Sequence, residues 1–327
     1  MMGYQEFRNS LKGIIPVQYC PYNEKYLLDV EGLKKNTEFL VNFAKEDKDV
    51  SIMTNGSTTE CYANSIEEQK AVIKTVVDTV DGACPVIAGV SQPGTMETIK
   101  LAKYAREVRA DCVMVVNPYY HCPTKEGLYR HFRAVAEAVP DMAVLIYNNI
   151  DVSGLKIDPI LMQRLSKIEN IVGCKDNTPL ASEFMYKSVL ISPEDMVFVH
   201  GGPISYPAAA AYGFRYKGFV TFIGNFAPSL VYDIYEAVEK DRDFDKALEK
   251  MKKILPIFDF MAKCMKARET PSIIPEAYRN TYMYMRVGKA ALDLVGLSGG
   301  PLRPPLEDLT DEEKREFKNI LEKMDVI

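Results

Sequence analysis

The apolar run Ile171-Val172-Gly173-Cys174 ends in Lys175, with Asp176 and Asn177 directly after it. An amine in an apolar setting has its charged form disfavoured, so its pKa falls toward neutrality. The neutral amine attacks a ketone and forms a Schiff base, an electron sink for changing a carbon–carbon bond. Such an imine needs proton transfers, and a phenol relays them. Tyr147 ends a second apolar run and supplies one. A carboxylate needs a cradle of hydroxyls and N–H groups. Ser57 and Thr58, after Gly56, offer two hydroxyls and backbone N–H groups for it. Each feature has a plainer reading. A strand-end lysine usually snorkels to water, a strand-end tyrosine is a common core-edge residue, and a Gly-Ser-Thr turn often just caps a helix. Catalysis requires that these groups meet.

The elements that would make them meet recur along the first two thirds of the chain. Eight short runs rich in Val, Ile and Met fall at 13–22, 50–56, 85–91, 112–120, 143–149, 171–177, 196–202 and 218–225. They are nearly continuous rather than alternating, as parallel strands covered on both faces should be. Helical segments lie between them. Ser65 and Glu68 form a capping box, and Thr124 opens a helix with Leu128, Phe132, Val135 and Val139 on one face. Asp158 precedes a proline at the first helical position. Eight such units predict an α/β fold, a closed (β/α)8 TIM barrel. No GxGxxG opens a helix, which leaves a dinucleotide-binding doubly wound sheet without support.

From 229 onward the pattern is helical, with expected helices over 230–244, 245–267, 277–296 and 311–324. A Gly/Pro-rich turn at 298–309 separates the last two. The expected division is a barrel domain over 1–228 and a C-terminal α-helical domain over 229–327. A net charge of -5 argues against nonspecific nucleic-acid binding. The sequence contains no run of about 18 uncharged apolar residues, the length a membrane span needs. The first residues lack a signal-peptide core, so the expected location is cytoplasmic. Seven cysteines without a CxxC pair read as small core residues. Three histidines without a carboxylate motif give metal chemistry little support, and no cofactor is expected beyond the covalent imine.

Active sites of such barrels lie at the C-terminal strand ends. Six of those ends carry polar groups: residues 55–60, 119–120, 147–149, 175–177, 200–202 and 221–225. A lysine, several tyrosines and a hydroxyl-rich loop are thereby expected at one mouth.

These residues resemble the pyruvate-dependent class I aldolases of the dihydrodipicolinate synthase and N-acetylneuraminate lyase family. The likeness spans nearly the whole chain. It rests on Gly56-Ser57-Thr58-Thr59-Glu60, on Asn117-Pro118-Tyr119-Tyr120 with Pro123-Thr124 and Glu126-Gly127-Leu128, and on Tyr147-Asn148 with Ser153-Gly154. Gly173-Cys174-Lys175-Asp176, residues 218–225 and residues 300–306 complete it. The resemblance implies a homotetramer, a dimer of dimers, in which Lys175 forms the imine with pyruvate or another 2-oxo acid. It implies that Tyr147 relays protons, that Ser57 and Thr58 hold the carboxylate, and that Tyr120 reaches the neighbouring subunit's site. Gly201 falls where the family leaves room beside the 2-oxo acid.

The departures bear on the second substrate. Val152 stands where dihydrodipicolinate synthases place an arginine for their amino-aldehyde. Losing that guanidinium removes a carboxylate anchor, which sets 4-hydroxy-tetrahydrodipicolinate synthase activity second. Pro203, Ile204 and Phe222 replace polar residues that hold the sugar tail in neuraminate lyases. Asp176 and Asn177 are closer to members acting on 2-keto-3-deoxy acids or 4-hydroxy-2-oxo acids. Thr59 and Ile150 replace a motif glycine and a motif proline. The expected substrate-binding set is Ser57, Thr58, Thr59, Gly201, Asn177, Val152 and Thr221, and the catalytic set is Lys175, Tyr147, Tyr120 and Ser57. The leading expectation is a carbon–carbon lyase joining a 2-oxo acid and an aldehyde. A dehydratase using the same imine, a non-catalytic 2-oxo acid sensor, and a site open to an apolar or aromatic aldehyde are the other readings.

Overall fold

A computed structural model of the chain describes residues 1–178, 180–268, 271–272 and 282–327. Eight strands carry the fold: β1 (Gly13–Pro16), β2 (Ile52–Thr54), β3 (Val86–Gly89), β4 (Cys112–Val116), β5 (Ala143–Asn148), β6 (Ile171–Asp176), β7 (Val197–His200) and β8 (Tyr216–Thr221). All pairs are parallel and sequential, and β1 pairs with β8. Parallel bridges Ile14–Val50 and Val17–Met53 join β1 to the β2 edge. There the Gln18 N–H donates to the Met53 carbonyl at 2.8 Å. The sheet therefore closes into the (β/α)8 barrel that the eight apolar runs predict.

The period-2 geometry of a strand sends alternate residues to two different cores. Met114, Val116, Leu145, Tyr147, Val199 and Val220 fill the barrel interior, joined by Phe7 and Leu11 from the N-terminal helix Tyr4–Ser10 and its cap. Val113, Val115, Val144, Ile146 and Phe198 face the helices outside. Helix starts follow the local chemistry. Ser65 and Glu68 make the reciprocal cap of the helix Ile66–Val80. Thr124 accepts from the Gly127 N–H, and Asp158 accepts from Ile160 and Leu161 ahead of Pro159. Each such cap is worth ~1 kcal/mol. Together they set where each outer helix begins, and so the length of each loop at the mouth.

Beyond β8 the described helices are Pro228–Glu239, Phe244–Lys252, Leu255–Lys266, Met283–Leu294 and Asp311–Lys323. The single helix expected over 245–267 is two. Pro256 lies in the first turn of the second, where a missing N–H breaks no bond, so the first stops at Lys252. Residues 277–281, the expected start of the following helix, lie outside the described residues. Phe260 stacks on Phe317 with ring centroids 5.0 Å apart, locking two of these helices together. The Tyr19 hydroxyl donates to the Tyr284 carbonyl at 2.7 Å, tying the barrel to the helix Met283–Leu294. Gly288 permits that contact: a Cβ there would lie 1.8 Å from the Tyr19 oxygen. Among the described residues no helix is long and apolar enough to cross a membrane.

Candidate active site

Lys175 and Tyr147 are register partners on β6 and β5. Both point into the barrel near its C-terminal mouth. Lys175 is 7% exposed, and burial lowers its pKa to about 7. Its Nζ lies 3.8 Å from the Tyr147 ring centroid, over the electron-rich face. Among the described residues no carboxylate pairs with it. Burial pushes the Tyr147 phenol up to about 12, opposed by hydrogen bonds from Asn149 and Ser57. Asn149 Nδ2 donates to the Tyr147 oxygen at 2.5 Å.

A chamber of about 160 Å³ surrounds this pair, lined by Ser57, Thr58, Asn177, Gly201 and Thr221 among others. Ser57 and Thr58 open the 3-10 turn Ser57–Thr59 after β2, so their N–H groups have no partner within it. Thr59 does not join them. Its hydroxyl donates to the Gln18 carbonyl at 2.7 Å and accepts from the Gly56 N–H at 3.3 Å. Thr59 is fully buried behind the turn, which corrects its place in the expected substrate-binding set. The larger side chain ties the loop to the segment that follows β1 and leaves the chamber clear. Gly201 makes room first for Asn177, since a Cβ there would lie 2.8 Å from the Asn177 carboxamide oxygen.

Two fully buried ion pairs brace the site from outside. Asp176 alternates away from Lys175 and meets Lys187 at 2.8 Å; both side chains are 0% exposed. The other Asp176 oxygen accepts from Asn148 and from the Thr178 amide and hydroxyl. Glu60, at the end of the Ser57–Thr59 turn, pairs with Lys289 of the C-terminal helices at 2.7 Å. Its second oxygen accepts the Arg303 N–H at 2.9 Å. Arg303, the arginine of the Gly/Pro-rich turn, reaches Glu68, Ala63 and Tyr26 as well. The C-terminal segment is thus fastened to the loop that carries Ser57 and Thr58.

A second chamber of about 320 Å³ adjoins the first, and Gly56, Ser57, Met114 and Tyr147 line both. Val152 lies in its wall with Tyr62, Tyr119, Tyr282, Pro305 and Leu306. Pro203 and Phe222 line the lysine chamber instead, and Ile204 lines neither. Tyr120 also lines neither; it is 76% exposed on this chain and packs edge-on against His121. Asn149, Phe258, Tyr282 and Tyr284 are site residues that the sequence reading missed. Asn149 stood in the polar end of its strand, a signal that was present. The other three come from the C-terminal segment, far away in sequence and without a local pattern to mark them.

A buried, near-neutral lysine stacked on a phenol at the mouth of a (β/α)8 barrel defines a lyase of the class I aldolase type. The chain belongs to the dihydrodipicolinate synthetase family, whose model matches residues 10–324. It is 31% identical over 320 residues to the 4-hydroxy-tetrahydrodipicolinate synthase of Archaeoglobus fulgidus, covering 97% of this chain and 99% of that one. A dihydrodipicolinate synthase structure from Aquifex aeolicus superposes with a TM-score of 0.81 at 27% identity, covering 97% of this chain and 99% of that one. A prophage protein of the same family from E. coli K12, solved in complex with pyruvate, gives 0.82 at 25% identity, with 97% and 99% covered.

Proposed function

We propose that the chain joins or cleaves a carbon–carbon bond between pyruvate, or a related 2-oxo acid, and an aldehyde through an imine on Lys175. The observation that carries this is the Lys175–Tyr147 pair, a lysine with a pKa of about 7 whose Nζ lies 3.8 Å from a phenol ring. At neutral pH much of the amine is unprotonated and nucleophilic. Ser57 and Thr58 hold the 2-oxo acid carboxylate with hydroxyls and turn N–H groups, while Asn177 and Thr221 face the rest of it. Tyr147 relays the protons that imine formation and hydrolysis require, with Asn149 stabilising the oxygen that gives them up. Loss of a methyl proton from the imine yields the enamine, whose carbon adds to the aldehyde. Hydrolysis then returns the Lys175 amine and a 4-hydroxy-2-oxo acid. No redox partner enters that balance. Tyr120, exposed on the single chain, reaches the neighbouring site in a homotetramer.

Two readings of the second substrate compete. Similarity over nearly the full chain to relatives named 4-hydroxy-tetrahydrodipicolinate synthase supports that activity. It weighs more than the 2-keto-3-deoxy acid reading expected from Asp176 and Asn177, because Asp176 faces away from the chamber into its ion pair with Lys187. Borohydride reduction with pyruvate tests the imine: a mass increase on Lys175 is expected, and its absence overturns the proposal. An assay with pyruvate and aspartate semialdehyde tests the synthase reading.

A further inference from the structure

We infer that a third cavity, outside the barrel behind the Lys175 strand end, is an effector site for a neutral, planar heteroaromatic ligand with an amide-like edge. Its occupant opposes 2-oxo acid binding through Asn177. The site itself stands apart from the proposed reaction, and the coupling rests on the imine reading above.

The cavity follows from the local sequence. Side chains alternate along β6 and β7, so the register partners Asp176 and His200 face the helices while Lys175 and Val199 face the barrel. The covering helices Ala181–Leu190 and Tyr206–Ala211 present Ala181, Ala208 and Ala209 there, and their methyls leave the space beneath them unfilled. A cavity of about 420 Å³ remains. An apolar cavity of about 150 Å³ already holds benzene, so a ring with a substituent fits.

The wall supplies rings and unused hydrogen-bonding groups. Phe184 stacks on Tyr216 with ring centroids 4.0 Å apart, and His200 meets Tyr216 edge-on at 4.7 Å. Phe214 packs against Phe184 on the same side. Tyr216 is 5% exposed, yet among the described residues its hydroxyl has no hydrogen-bond partner. The Asn177 Oδ1 atom is buried and likewise unpaired. Buried polar groups are ordinarily paired, so two orphans at one cavity mark a place that a ligand completes.

Charge selects the ligand class. Asp176 lines the cavity, but Lys187 at 2.8 Å neutralises it, and Asn148 and Thr178 donate to its other oxygen. Among the described lining residues there is no Lys or Arg. An anion would meet an acidic wall, and a cation would find the carboxylate already paired. Either would lose its water without gaining a counter-charge. A neutral ring suits the site. Its faces pack against the aromatic wall, and the Tyr216 hydroxyl donates to a ring nitrogen or carbonyl. The Asn177 carboxamide pairs with a donor and an acceptor set side by side, as asparagine does with adenine. Nucleobases and nicotinamide share that edge.

Asn177 links this cavity to the reaction. It lines the lysine chamber as well, as does Gly201, where a Cβ would lie 2.8 Å from Asn177 Oδ1. One carboxamide does not serve both sides at once. A ligand that holds it in the outer cavity withdraws it from the 2-oxo acid, and by linkage pyruvate weakens that ligand by the same factor.

The test is calorimetric titration of the full-length protein with adenosine, nicotinamide and benzoate, the last a charged ring close in size to nicotinamide. Adenosine or nicotinamide is expected to bind, and the stronger of the two tells a nucleobase from a ring carboxamide. Benzoate is expected to bind roughly tenfold more weakly or not at all. Tyr216→Phe keeps the ring and removes the hydroxyl, and Ala208→Trp fills the cavity from an exposed helix position. Each is expected to weaken binding about fivefold or more, while the pyruvate adduct on Lys175 still forms. Saturation with the ligand that binds is expected to raise the pyruvate concentration for half-maximal borohydride trapping about fivefold. Binding by neither probe, a preference for benzoate, or binding that neither variant weakens overturns the site. Binding that leaves the pyruvate dependence unchanged overturns the coupling. The titration needs no pyruvate, so an absent Lys175 adduct would remove the imine reading and the coupling and leave the site standing.

Discussion

Lys175 Nζ stands 3.8 Å from the centre of the Tyr147 ring, across one pair of registered strands. The ring covers the amine, and both residues are buried. Burial is the cause of the lowered lysine pKa, about 7 against an ordinary 10.5. Because the neutral amine is the nucleophile, adduct formation is expected to rise with pH through an inflection near 7 and to level off above ~8. Initial rates of borohydride trapping between pH 5.5 and 9 measure this. An inflection near 10 would show an exposed, ordinary lysine.

The same burial makes a stability prediction with a definite sign. The folded pKa lies below the unfolded one, so the unfolded chain binds more protons between about 7 and 10.5, and stability rises with pH across that window. Lys175→Met removes the penalty. It is expected to stabilise the protein by on the order of a few kcal/mol at pH 7 and below, and by little above pH 10.5. Denaturant titrations at pH 6.5 and pH 10.5 read the difference.

Tyr147 and Asn149 separate the covalent step from the proton relay. Tyr147→Phe keeps the ring over Lys175 but removes the relay, so the pyruvate adduct still accumulates, though more slowly, while turnover falls by roughly 10²–10⁴-fold. Asn149 both donates to the Tyr147 oxygen and caps the short helix Ile150–Ser153 through the Asp151 N–H. Asn149→Ser retains an acceptor for the cap but loses the donor. It is expected to lower kcat about tenfold, the weight of one hydrogen bond, with little change in thermal stability. An equal loss of both would mark Asn149 as a cap alone.

How much of this was legible in the sequence follows from the range of each interaction. The strands announce themselves because both faces of a parallel barrel are covered, so Val, Ile and Met run without alternation. Lys175 stands out for breaking such a run. Thr59 was misplaced because alternation along a tight turn is not that of a strand, and only the fold shows its hydroxyl on the Gln18 carbonyl. The partner of Asp176 lies eleven residues on, and that of Glu60 far along the chain at Lys289. Such pairings depend on which helix packs where, and no local periodicity encodes them. The roof residues Phe258, Tyr282 and Tyr284 were unreadable for the same reason.

Asp176–Lys187 is a buried pair with hydrogen bonds to its remaining oxygen, so breaking it is worse than replacing it. Lys187→Met leaves an uncompensated carboxylate under β6 and is expected to cost about 3–5 kcal/mol. The double variant Asp176→Asn with Lys187→Met is expected to recover much of that, because no charge stays behind. Urea unfolding of both single variants and the double closes the cycle. Additive losses would show that the two side chains do not act as a pair.

Glu60–Lys289 makes a different claim, because one partner ends the turn that carries Ser57 and Thr58 and the other belongs to the C-terminal helices. Both side chains are nearly inaccessible, at 0% and 2% exposure. Burial pulls the Lys289 pKa down and the Glu60 pKa up, each opposed by the other's charge. Lys289→Met leaves the Glu60 carboxylate buried without its ion-pair partner, and a loss of about 3–5 kcal/mol is expected. Lys263→Met is the control, since its pair with Glu316 is 66% and 39% exposed and such pairs contribute ~0–1 kcal/mol. Stability alone does not test the link to the site. If the pair holds the turn in position for a carboxylate, Lys289→Met raises KM for pyruvate several-fold, while the pH inflection of Lys175 trapping stays near 7. Lys263→Met leaves both unchanged. A variant that loses stability yet keeps its KM would confine the pair to joining the C-terminal helices to the barrel.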